Sequence, residues 1–87
     1  MTHQGKLICE QVRGTEATPE EVARAAQAAR SATILSILAV RAVFDMDLRQ
    51  AMDVVAEAQK VEHAPTAREE VLRPLLEQFF ELKPWEN

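Results

Sequence analysis

The side chains able to do chemistry are few and scattered along the 87 residues. Metal ligands would have to come from His3, Cys9, His63, Asp45 and Asp47. A zinc site draws on convergent ligands in closely spaced Cys or His pairs, and one cysteine with two distant histidines supplies no such pair. Asp45-Met46-Asp47 lacks the third oxygen ligand and the glycine of a calcium loop. His3 suits an N-terminal copper site only in one register, which removal of Met1 before the small Thr2 would shift. No metal or cofactor is expected.

Covalent catalysis needs Ser, Thr or Cys held beside a base. Ser31 and Ser36 have no histidine near them in sequence, and no Gly-x-Ser-x-Gly turn exists. Cys9 reads as a small buried hydrophobe, the common fate of a lone thiol. The carboxylate pairs Glu20-Glu21 and Glu69-Glu70 open helices, where the dipole favours acids. Glycine occurs only at positions 5 and 14, so no phosphate-cradling loop can form. The expectation is a protein that is not an enzyme.

Ten basic against fourteen acidic residues leave a net charge of −4. Nucleic-acid binding needs clustered Lys and Arg, and the helix after Asp45 carries Arg49 and Lys60 against Asp53, Glu57 and Glu62. Nucleic acid is therefore not an expected partner. The carboxylates Glu70, Glu77 and Glu81 make only a short stripe, which is little for a nucleic-acid mimic. The most apolar run, residues 31–44, includes Arg41 and falls short of the roughly 20 residues a spanning helix needs. With no secretory-type apolar stretch at Met1-Thr2-His3 and a single cysteine, a cytoplasmic chain without a membrane role is expected. Fourteen alanines, and seven Arg to three Lys, are associated with GC-rich bacterial or phage genomes.

The elements follow from start and stop signals. Thr18-Pro19-Glu20-Glu21 is a capping box with proline in the first turn. The alanine-rich run from there to about Phe44 contains no Gly or Pro and predicts one long helix. Asp45 or Asp47 caps a second helix from about Leu48 to Glu62, with Gln50 completing a box to Asp47. Thr66-Ala67-Arg68-Glu69 is a third box, opening a helix to about Leu82 that bends or divides at Pro74. Residues 1–17, with Leu7, Ile8, Gln11 and Val12 at helical spacing, predict a short helix or an extended arm. The fold class is thus all-α: a small antiparallel bundle (18–87) of three main helices, plus that N-terminal segment.

Helical projection sorts the faces. The last helix gathers Val71, Leu72, Leu75, Leu76, Phe79, Phe80 and Leu82 on its inner half. The second buries Leu48, Ala51, Met52, Val54, Val55, Ala58 and Val61. In the long first helix, Val22, Ala25, Ala26 and Ala29 start an apolar face that Ser36, Val40 and Val43 continue. Ile34, Leu35 and Leu38, however, project where the polar residues had been. A helix apolar on both sides is buried on more than one side, by the N-terminal segment or by another chain.

Ile34, Leu35 and Leu38, with Arg41 and the terminal Trp85, are the expected partner or dimer interface. Trp85 either folds back on the core or anchors a partner's pocket. His63, after the last turn of the second helix, reads as a dipole and carbonyl partner. The functional expectation is a protein-protein interaction module. It would be a homodimeric bacterial or phage regulator that binds and modulates or inhibits another protein, such as a transcription factor or defence complex. A structural subunit or assembly adaptor of a larger complex is the alternative, with a nucleic-acid mimic or DNA binder behind it.

Overall fold

The computed structural model describes residues 2–60 and 64–86. Among them are five helices and no strand: α1 (His3–Gly14), α2 (Pro19–Ala29), α3 (Thr33–Phe44), α4 (Leu48–Lys60) and α5 (Ala67–Leu82). None is long and apolar enough to cross a membrane. Val61, Glu62 and His63, and with them the proposed end of the second helix, lie outside the described residues.

The N-terminal segment is helix. The Thr2 hydroxyl accepts from the Gly5 amide at 3.0 Å, and the Thr15 hydroxyl closes the other end by donating to the Val12 carbonyl at 2.6 Å. Gly14 is the last helical residue, but the left-handed turn that follows falls on Glu16 (φ 61°).

The single long helix expected from Thr18 to Phe44 is not formed. The chain breaks after Ala29, with Arg30 (φ −141°, ψ 120°) and Ala32 (φ −132°, ψ 116°) extended. The reason lies in packing, since neither Gly nor Pro marks the site. An unbroken rod of residues 18–44 would run about 40 Å at 1.5 Å per residue. The whole molecule is only 34 Å in its longest dimension. Breaking the rod lets α3 pack on α2, and the buried Ser36 hydroxyl seals the pair by donating to the Gln27 carboxamide oxygen at 3.1 Å. The break also restarts the helical phase, which is why Ile34, Leu35 and Leu38 project off the α2 face.

The other caps form as their residue types dictate. Thr18 and Glu21 make both bonds of the capping box, at 3.0 and 3.2 Å. Asp47 accepts from the Gln50 amide at 2.8 Å, while Asp45 takes a left-handed conformation (φ 53°) that closes α3. Arg13 of α1 donates to the Val43 carbonyl at 2.7 Å and satisfies the C-terminal end of α3 from outside. The Thr66 hydroxyl accepts from the Glu69 amide at 3.1 Å. Helix α5 runs through Pro74, which sits on the exposed side where water can serve the freed carbonyl, so it does not divide.

Helix α2 is the central post. It packs on α5, α3 and α4, while α1 lies against α5 and α3. Ala23, Ala25 and Ala26 are buried at its contacts, where small side chains let backbones approach, whereas Ala28 is exposed. Val12, Val22, Val40, Val55, Leu72, Leu76 and Phe79 complete the core.

Candidate interaction surface

Three of the five expected interface residues come together. Leu38 and Arg41 on α3, with Trp85 from the C-terminal segment, line a groove of about 330 Å³. Its other walls include Ala42, Asp45, Met46 and Phe79. The groove exists because Lys83 turns left-handed (φ 48°) after α5 and the buried Pro84 directs Trp85 back. The indole rests 5.9 Å from Phe79 and 6.2 Å from Phe80, centre to centre. Trp85 thus folds back on the core while keeping 36% of its surface bare. The exposed Arg41 leans toward the Met46 carbonyl at 3.5 Å, a long contact that leaves the guanidinium at the groove's edge.

The other two separate. Ile34, one turn before Leu38, is 60% exposed. Leu35 is half-buried and packs against the core, on the flank of α3 shared with Ala39 and Ala42. The N-terminal helix therefore does not cover Ile34, although its own Ile8, Cys9 and Val12 are buried.

The structure adds residues that periodicity had placed inside. Leu48 (49% exposed) and Met52 (50%) of α4 are bare, although both belong to its apolar arc. The Gln59 carboxamide donates to the Thr33 hydroxyl at 3.1 Å, which fixes the pairing of α4 with α3. With that anchor, Leu48 and Met52 fall on the flank of α4 that faces α3. Bare apolar side chains thus lie on both α3 and α4. The width of α4's apolar arc was the available signal, because its two neighbours, α2 and α3, leave the edge with Leu48 and Met52 bare.

Elsewhere the polar groups serve the fold. Glu21 receives the Thr18 amide and a 3.0 Å ion pair from Arg68, tying α2 to the start of α5. Arg24 reaches the buried Glu69 only at 3.9 Å, and its Nε is buried without a hydrogen-bond partner. Burial pushes the Cys9 thiol above its usual range against the pull of Arg13, which disfavours the nucleophilic thiolate. Among the described residues no three His, Cys, Asp or Glu side chains gather as a metal site, and His63 lies outside them.

The amide of Thr18, above all, and then Arg68 hold the Glu21 carboxyl below the ordinary glutamate range, against the opposing effect of burial. The stabilisation is therefore present above the unfolded value of about 4.3 and is lost as pH falls through the depressed folded value. Melting temperature is expected to fall on acidification below about pH 5, and Glu21→Gln to flatten that slope. An unchanged slope in the variant would place the acid sensitivity elsewhere.

No protein-family model, characterised protein or solved structure matches the chain. Its function is read from geometry.

Proposed function

We propose that this protein is a non-enzymatic interaction module, a small antiparallel helical bundle that dimerises through the outer face of α3. In this reading it is a cytoplasmic bacterial or phage regulator that acts by binding another protein. The observation that carries the reading is the exposure of three large apolar side chains on the paired helices α3 and α4, Ile34, Leu48 and Met52, at 60%, 49% and 50%, together with the Leu38–Trp85 groove. Apolar surface left bare beyond scattered single residues marks interaction sites on soluble proteins.

A second copy fits this face on charge. Arg41 and Asp45 lie one helical turn apart beside Leu38, so a twofold crossing of α3 on its counterpart can set unlike charges opposite one another. Arg41 and Asp45 cancel at the groove although the chain carries a net −4, so the groove adds no mutual repulsion between two copies. Stable interfaces bury about 800 Å² per partner. The bare side chains alone supply a few hundred, so the groove and its polar rim must join the contact and the dimer is reversible.

Sedimentation equilibrium tests this. The chain is expected to sediment as a concentration-dependent dimer, and Ile34→Asp as a monomer with unchanged helical circular dichroism. A wild-type monomer up to millimolar concentration, or a variant that still dimerises, would overturn the reading.

A further inference from the structure

A second surface lies on α5 and its junction with α1. Val71, Leu75, Gln78 and Leu82 recur at spacings of four, three and four, within roughly 60° of one helical face. The sequence pattern placed Val71 and Leu82 inside with Leu72, Leu76, Phe79 and Phe80; instead they are 56% and 37% exposed. Beside the C-terminal end of this stripe, α1 contributes Leu7, which is 43% exposed, and Ile8. Together with Leu82 they floor a groove of about 530 Å³ between the two helices. Gln4 and Gln11 form one rim, and Gln78 and Glu81 the other. The positions facing this groove on α1 (Gln4, Leu7 and Gln11) also repeat at three and four.

Two helices presenting flanks of three-four spacing, with a trough between them, offer knobs-into-holes packing to a third helix. The charge beside the trough identifies that helix further. Glu81 lines the trough and Glu77 lies one turn before it on the same flank of α5, whereas Glu70 lines a separate cleft with Arg24 and Arg73. Only Glu77 has an ion-pair partner among the described residues, Arg73 at a loose 3.7 Å. Glu70 and Glu81 are exposed, and the lining of the groove holds no cation.

From this we infer that the α1–α5 groove receives an amphipathic α-helix of a partner protein. That helix carries an apolar stripe at three-four spacing and Lys or Arg along the flank that meets Glu77 and Glu81. Apolar contacts set the affinity, and the flanking charges set the partner's orientation and exclude acidic helices. The inference shares with the preceding section only the idea of an interaction module. It uses a different surface, so failure of the dimer test leaves it standing.

The test uses the full chain and a fluorophore-labelled synthetic helical peptide at nanomolar concentration. The peptide has leucine at heptad positions a and d and lysine at e and g; a control peptide has glutamate at e and g. Fluorescence anisotropy is expected to show saturable binding of the lysine peptide, at least tenfold tighter than that of the glutamate peptide. Val71→Gln combined with Leu82→Gln, uncharged changes at exposed positions, should weaken it about tenfold or more. Glu81→Gln should weaken it less and reduce its salt dependence, while Ile34→Asp should leave it unchanged. Failure of the lysine peptide to saturate, or indifference to the double Gln variant, would overturn the inference. So would equal binding of the two peptides. A lower sedimenting mass for the double Gln variant would overturn it too, because a second copy would then be the occupant.

Discussion

Phe79→Ala is expected to cost about 3–5 kcal/mol, the range for emptying an aromatic site in a close-packed core. Phe79 is 2% exposed and is the largest of the fully buried side chains. It meets Phe80 edge-on at 5.8 Å and supports the indole of Trp85. A domain of this size is stable by only about 5–15 kcal/mol in total, so the variant should be near unfolding at physiological temperature. Urea titration checks this, followed by helical circular dichroism and by the emission of Trp85, the chain's single tryptophan. Both signals should shift to a much lower midpoint together, and Trp85 emission should move toward that of a solvated indole. The same change at exposed Val71 should move the midpoint hardly at all. Equal midpoints for Phe79→Ala and wild type would show that the aromatic cluster does not hold the C-terminal segment to the core.

Val40→Asp should abolish the fold outright. Val40 is 0% exposed on α3, among apolar neighbours from other helices. A carboxylate placed there has no partner, and burying it uncompensated costs more than most small domains can spare. Helical circular dichroism at neutral pH should collapse. Ile34→Asp, six residues earlier on the exposed side of the same helix, should retain the spectrum of the wild type. The two variants share a helix and a chemistry and differ only in which way the side chain points. A folded Val40→Asp, or an unfolded Ile34→Asp, would show that the two faces of α3 have been assigned the wrong way round.

Much of the architecture was legible one element at a time. Thr18, Asp47 and Thr66 each accept from an amide three residues on, at 3.2, 2.8 and 3.1 Å. Such bonds depend on three or four adjacent residues and need no knowledge of the fold. The inner face of α5 was equally plain in Leu72, Leu76, Phe79 and Phe80, whereas only the fold brings Leu38, Arg41 and Trp85 to one groove. The break at Arg30-Ser31-Ala32 was not. Every residue from Pro19 to Phe44 tolerates helix, and the only trace of the break was the jump of the apolar face at Ile34. That jump was read as a surface for another chain. It marks first of all the point where the chain turns back, and only Ile34 and part of Leu38 remain for a partner.

Local residue types alone therefore determined the all-helical class, three of the helix starts and the lack of any chemical motif. Tertiary structure decided where the long apolar stretch folds and which greasy side chains stay wet. Val71, Met52 and Leu72 are alike to a helical wheel, yet Leu72 is fully buried while Val71 and Met52 are half bare or more. The physical reason is range. A cap is completed within one turn, but burial depends on how many neighbouring helices can physically reach each side of a rod, and that number is set by residues far away in the chain.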